Sequence, residues 1–258
     1  MNELSESFNE YFEIVCADTP ELLNEAYKIR FHSYCLEQKV PDFEAEKYPD
    51  GLETDDYDEH SVHCLLRNRN LDKYIGTVRL VLNNPNDPTA LFPVEQYARS
   101  LFDQNKINPD LLPRIHTAEI SRLCILNDYR IRKGENNSAN SNIEKFITKD
   151  SDRRTFPHPI LGLMVAIMRM TVRHNITHWY AGMENDLNKR LSMLGLGLTP
   201  IGPLLEYHGK RKPYLGIVND VMNSIYGRNR DIWGLLTEEG QLWPAPGEDQ
   251  ANNISNIL

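Results

Sequence analysis

Apolar positions along the chain fall in short blocks, some alternating and some at helical spacing, with turn-forming residues between them. "YFEIVCAD" (11–18) has the branched and aromatic content of a strand, and Asp18 or Thr19 before Pro20 reads as a helix start with proline in the first turn. That helix is predicted to run from 20 to about 38, with Leu22, Leu23, Ala26, Ile29 and Tyr34 as its apolar stripe and Arg30 one position round from Ile29. Residues 39–60 are acidic, contain prolines at 41 and 49, and read as a loop.

"SVHCLLRN" (61–68) and "YIGTVRLVLN" (74–83) are bounded by turn formers and predict an antiparallel pair. "PVEQYARSLFD" (93–103) reads as a short helix and "RIHTAEISRLCIL" (114–126) as another strand. Residues 134–157 are polar and weakly patterned, an insertion or mobile loop that is either a lid or a surface excursion. An apolar helix (159–174), a strand "THWYAGME" (177–184) and a helix "NDLNKRLSMLGL" (185–196), capped by Asn185 and ended near Gly195 or Gly197, come next. "GPLLEYHGKRKPYLGIVN" (202–219) reads as two strands joined at Gly209, before one C-terminal helix and a polar tail from about 245. The order predicts a mixed α/β sheet with helices on its faces, in one domain over 1–258 and with no internal repeat.

Composition narrows the partners. A formal charge of −9 argues against general affinity for nucleic acid or anionic membranes, so an anionic partner must find a local basic patch. Cys16, Cys35, Cys64 and Cys124 lie far apart in apolar contexts without a CxxC pair, as reduced core thiols do, which suits the cytoplasm. "MNELSESFNE" lacks the features of a secretory signal, and "ILGLMVAIMRM" (160–170) is too short to span a bilayer and carries Arg169, so no integral membrane association is expected. His60 with His63, and His174 with His178, have ligand-like spacing but no further clustered ligand, so no metal site is expected.

The informative residues are charges in the wrong places. Arg79, Glu119 and Arg122 stand inside predicted strands, where an ionised side chain must be paired or solvated. "GLETDDYDEHSVHCLL" (51–66) supplies Glu53, Asp55 and Asp58, while Arg30, Arg79 and Arg122 supply about enough cations to pair with them; Asp56 and Glu59 are assigned to solvent. Residues three apart on a regular strand face opposite ways, so Glu119 and Arg122 can serve one site only if a bulge or twist intervenes.

The ordered set Arg30–Phe31, Glu53-x-Asp55-x-x-Asp58, Arg79–Leu80 and Glu119-x-Ser121–Arg122 resembles the signature of the acyl-homoserine-lactone synthases and the N-acyl amino acid synthases. "EISRLCILNDYRIRKGE" with "EYHGKRKPY" is more closely similar to the PEP-CTERM/exosortase system-associated acyltransferases, a branch of that group. The resemblance spans roughly residues 10–240. It implies a GNAT-like acyltransferase fold with splayed central strands, "AEISRLCI" being the bulged one, and transfer of a fatty acyl group from acyl carrier protein to a small amine or amino acid.

Such a reaction needs a base, donors for the carbonyl oxygen and a dry tunnel. Glu119 is the first candidate base and Glu53 the second; backbone N–H groups near Leu123, Cys124 and Ile125 are candidates for the oxyanion, and no covalent acyl-enzyme is required. Asp55, Asp58 or Glu53 would fix Arg122 and Arg79, one of which would present its guanidinium to the acceptor's carboxylate. No bound cofactor is expected. Coenzyme-A-dependent GNAT enzymes carry a Q/R-x-x-G-x-G/A loop, and "IRKGEN" (131–136) keeps only Gly134, which favours the phosphopantetheine of acyl carrier protein over acyl-CoA as donor. Arg130, Arg132 and Lys133, joined by Arg153 and Arg154, form either its docking patch or a solvated basic turn. "YHGKRKPY" (207–214) is a second basic lip or, by spacing, a hairpin turn, and Met164, Met168 and Met170 belong to core packing or to an acyl tunnel. Two other functions remain open on sequence: an acyl-homoserine-lactone synthase, and a module that binds an acyl carrier without turnover.

Overall fold

The computed structural model describes residues 2–130 and 158–248; the expected insertion at 134–157 lies outside them. Asn2 accepts the Ser5 N–H and starts α1 (Glu3–Tyr11), a helix the apolar pattern did not predict. Phe8 of α1 packs on Phe12 at the head of β1 (Phe12–Cys16). Thr19 accepts the Leu22 N–H and Pro20 occupies the first turn of α2 (Pro20–Phe31), as the sequence predicts. The helix continues to Glu37 only by widening into a π-helical turn, His32–Glu37. Short 3-10 turns at Ala45–Lys47 and Asp56–His60 order the acidic stretch.

β2 (Ser61–Asn68) and β3 (Lys73–Val81) pair antiparallel as expected, followed by α3 (Pro93–Ala98), β4 (Thr117–Ile125) and α4 (Asn127–Arg130). After the undescribed segment come α5 (Pro159–Arg173), β5 (His178–Met183), α6 (Asn185–Met193), β6 (Thr199–Pro200), β7 (Leu205–Glu206) and β8 (Lys210–Ile217). Glu184, not Asn185, is the residue at the N-cap of α6. The C-terminus holds two helices where one was expected, α7 (Val218–Arg228) and α8 (Arg230–Thr237), because Asn229 turns extended and its side chain caps the second.

The strands form one sheet in the order β1-β2-β3-β4-β5-β8-β6, with β7 pairing on β8. Every pairing is antiparallel except that of β4 with β5. α5 covers one face, its side chains meeting Leu66, Val78, Leu80 and Ala118 in the main core. Gly162 lets helix and sheet pack closely, since a Cβ there would stand 2.5 Å from Leu66 Cδ1 and force that side chain to shift. α2 covers part of the other face, placing Ala26 and Ile29 against Leu65 and Cys124. α3 covers the rest, placing Val94 and Ala98 against Val81 and Tyr180. Among the described residues no helix is long and apolar enough to cross a membrane.

Two irregularities of β4 position the site. Its pairing with β5 runs from Thr117↔His178 only to Ile120↔Ala181, although β4 continues to Ile125 and β5 to Met183, so the central strands splay. Its register with β3 slips between Thr77↔Cys124 and Arg79↔Ser121, Arg122 and Leu123 on β4 opposing Val78 alone on β3. This is the bulge that the Glu119–Arg122 spacing demanded, and its extra residue is Arg122 itself, left-handed at φ 51°.

Candidate active site

The bulge gathers the charged residues onto the face covered by α2 and α3. Arg79 lies opposite both His63 and Ser121 in the sheet, and the additional residue swings Arg122 to that same face. A left-handed arginine costs about 1–3 kcal/mol of backbone strain and persists only where the surroundings hold it. Here Glu53 and Asp55 hold it.

Three carboxylates and three guanidiniums alternate in a closed ring. Arg30 donates from Nε to Glu53 and from its two terminal nitrogens to Asp58 at 2.8 and 3.0 Å. Arg79 donates to Asp58 Oδ1 at 2.6 Å, to Asp55 Oδ2 at 3.0 Å and to Ser121 Oγ at 3.0 Å. Arg122 closes the ring, donating to Glu53 Oε1 from Nε at 3.1 Å and to Asp55 Oδ2 at 2.7 Å, with its guanidinium 4.8 Å from the Phe43 ring centre. Arg30, Arg79 and Glu53 are 0% exposed, so the charges stand in a dry interior and only the mutual pairing makes that tolerable. The local fold depends on the same groups: Asp58 accepts the Asp55 N–H and Asp55 the Tyr57 N–H, a capping box on the Asp56–His60 turn.

Electrostatics separates the carboxyls into two kinds. Burial pushes Glu53, Asp55 and Asp58 up, but Arg122 and Arg30 beside Glu53, Arg79 beside Asp55, and Arg30 beside Asp58 more than offset it and hold all three below the usual carboxylate range. Glu119 is 2% exposed and goes the other way, pushed up to about 8 by burial, although the Val94 N–H at 2.7 Å and the charges of Arg79 and Arg122 pull it back. His63, whose Nε2 lies 3.5 Å from Asp58, has no hydrogen-bond partner; burial first, then Arg30, drives it down to about 3, so it packs neutral against Tyr27.

A cavity of about 680 Å³ opens where β4 and β5 part. Glu119, Ser121 and Arg122 stand at its polar end with Tyr34, Tyr207 and Arg211, and Leu123, Cys124 and Ile125 line the β4 wall. One part of the remaining wall is apolar, with Met164, Ile167 and Met168 of α5 together with Leu191, Leu198 and Met222, while Gln38, Asn127, Glu184, Asp186 and Arg190 also line the cavity. Met164 and Met168 are thus both core and cavity wall, whereas Met170 is buried elsewhere.

The sequence-predicted residues meet as follows. Arg30, Glu53, Asp55, Asp58, Arg79 and Arg122 come together in the ring, and Glu119, Leu123, Cys124 and Ile125 face the cavity. One expectation fails and one narrows. Glu53 is a poor base, because Arg30 and Arg122 already occupy its oxygens and keep it ionised. Of the two arginines expected to offer a guanidinium to the acceptor, Arg79 cannot, since Ser121, Asp55 and Asp58 take its nitrogens, whereas Arg122 lines the cavity. Arg132 and Lys133, and the side chain of Arg130, lie outside the described residues, as do Gly134, Arg153 and Arg154. Tyr34, Tyr207 and Arg211 were missed as site residues. The only signal was the basic hairpin, which does form as the tip of β7–β8 and also reaches the cavity.

Residues 29–138 match the model of the acetyltransferase (GNAT) domain. No curated protein is similar to it in sequence at a significant level. Among solved structures it is similar to the AHL synthase LasI (TM-score 0.57, 19% identity, covering 84% of this chain and 96% of that one). It is also similar to BjaI, a CoA-dependent acyl-homoserine lactone synthase solved with SAM and isopentyl-CoA (TM-score 0.56, 17% identity, 93% and 94% covered). A third similar structure is FeeM, an N-acyl amino acid synthase from uncultured soil microbes (TM-score 0.53, 12% identity, 83% and 94% covered). At these identities the likeness establishes the GNAT-like fold.

Proposed function

We propose that the protein transfers a fatty acyl group from the phosphopantetheine thioester of an acyl carrier protein to the amine of an amino acid or a similar small amine. One observation carries this reading: a buried carboxyl, Glu119, pushed up to about 8 by burial, stands where the splayed strands open onto a cavity that has an apolar wall. An amine attacking a thioester must shed a proton, and a base works best with its own pKa near the working pH. The amine nitrogen bonds to the thioester carbon, Glu119 takes the amine's proton, and the carbon–sulfur bond breaks as that proton passes from Glu119 to the departing sulfur, which leaves as the carrier's thiol. Beyond Ile120 the β4 edge is no longer paired with β5, and the Leu123 backbone N–H beside the cavity is the proposed donor to the developing oxyanion.

The apolar wall of the cavity suits the acyl chain, with methionines adapting to a flexible ligand. Each methylene that enters contributes about 0.8 kcal/mol, or roughly fourfold in kcat/KM. Rates measured over a series of acyl thioesters are therefore expected to climb steeply with chain length and then fall once the cavity is full. Met164→Trp should shift the optimum to shorter chains, and a profile that ignores chain length would remove the tunnel from the proposal.

The carrier-borne donor is favoured by "IRKGEN" retaining one of three expected loop positions, and the docking role falls to Arg130, Arg132 and Lys133. The similarity of "EISRLCILNDYRIRKGE" and "EYHGKRKPY" to the PEP-CTERM/exosortase-associated acyltransferases points to that branch. Single turnover with acyl carrier thioester and acyl-CoA in parallel, against mixed amino acids and against SAM, tests the whole. An N-acyl amino acid formed faster from the carrier is the expected product; a lactone from SAM would make this an autoinducer synthase, and no product would leave a carrier-binding module.

A further inference from the structure

The mouth of the cavity holds a guanidinium that the ion-pair ring does not use. Arg211 of β8 lines the cavity but makes no ion pair or side-chain hydrogen bond with any described residue. Tyr34 and Tyr207 border the same mouth, and their hydroxyls likewise have no hydrogen-bond partner among the described residues. The hairpin carrying Arg211 is fixed in place: His208 Nδ1 lies 3.1 Å from Asp42 Oδ2, and its ring packs 4.7 Å from that of Phe43, against which Arg122 also rests.

The base and this guanidinium line the same cavity. Burial pushes the Tyr207 hydroxyl up; Glu119 adds to that, while Arg122 and Arg211 oppose it, so both ends of the mouth act on one phenol. Tyr34 is pushed up by burial and drawn back by Arg122 and Arg211 in the same way. A guanidinium left unpaired in a partly desolvated cleft is costly, and a planar anion is what its fork fits. A molecule that meets both within this cavity, beside Tyr207, needs an amine for Glu119 and an anion for Arg211. An α-amino acid carries both.

We propose that Arg211 anchors the carboxylate of the acceptor, with Tyr34 and Tyr207 beside it, which makes the acceptor a free amino acid and not a simple amine. The assignment rests on the acyl-transfer reading above. It is tested by giving the wild type, Arg211→Met and Arg211→Lys one acyl carrier thioester with two acceptor pools, the twenty standard amino acids and their decarboxylated amines, and resolving the products by mass spectrometry. The wild type should favour amino acids. Arg211→Met should lower amino-acid product at least about 30-fold, through KM, and leave amine product unchanged or raised; Arg211→Lys should fall between. Equal losses from both pools, or an unchanged ratio, would overturn the assignment alone. No product from either pool with the wild type would overturn the acyl-transfer reading as well. Should the methionine variant not fold, the ratio for the lysine variant decides.

Discussion

Replacing Glu119 by glutamine is expected to lower acyl transfer by about 10²- to 10⁴-fold and to flatten its dependence on pH. The base must be ionised to accept a proton, and burial has pushed this carboxyl up to about 8, so at neutral pH most of it is in the inactive, protonated form. The wild-type rate should therefore climb with pH and level off above about 8. The acceptor amine also loses a proton over part of this range, but it does so with either enzyme. The ratio of wild type to Glu119→Gln cancels it, and should rise about tenfold per pH unit below the plateau. Stability provides a readout independent of substrate. A carboxyl whose folded pKa is raised stabilises the fold below its unfolded value near 4.5, a contribution lost as pH rises through about 8. The glutamine variant has no proton to lose there, so its melting temperature should gain on that of the wild type between pH 5 and 9. Near-normal rates would move the base elsewhere, while a constant melting difference across that range would mean Glu119 is not held protonated in the fold.

The same burial that tunes Glu119 explains what the sequence made legible and what it hid. Charged residues inside strands are conspicuous, because an unpaired one there is too costly to keep, so Arg79, Glu119 and Arg122 could be matched by type and number to the acids at 53, 55 and 58. The bulge was one of the two ways, with a twist, for residues three apart to share a face, and β4 uses it. Which acid bonds which arginine was not legible, since that depends on how α2, the Asp56–His60 turn and β3 are brought together. Glu53 looked like a second base for this reason: its pairing with both Arg30 and Arg122 exists only in three dimensions. Arg211 was hidden by the opposite effect. A basic run in a hairpin reads as solvent, and only the docking of that hairpin onto Asp42 and Phe43 turns one of its side chains toward the cleft. At α1 a local signal was present and overlooked, with the Asn2 cap followed by Leu4, Phe8 and Tyr11 at helical spacing.

Removing one member of the ring should cost far more than removing an ion pair at the surface. Arg30→Met takes away the cation shared by Glu53 and Asp58 and leaves two buried carboxylates short of a partner, for which a loss of about 3–5 kcal/mol is expected in urea unfolding at pH 7. Arg67, which bridges Glu13 and Asp72 in partly exposed surroundings, should cost no more than about 1 kcal/mol when changed to alanine. The sign of the pH dependence identifies the cause. Glu53 and Asp58 have folded pKa values below their unfolded ones, so the stability they lend is present above the unfolded values near 4 and lost as pH falls through the lower folded ones. Once Arg30 is gone the orphaned acids can neutralise by taking up protons at higher pH, and the gap between variant and wild type should narrow on acidification. Adding Glu53→Gln to Arg30→Met should recover part of the loss, because one of the two uncompensated charges is then absent, whereas simple additivity of the two substitutions would mean that the ring is a row of independent contacts. Activity links the two halves of the site: Glu53 holds Arg122 in its left-handed bulge, so disturbing Arg30 should also weaken catalysis at Glu119 without touching it.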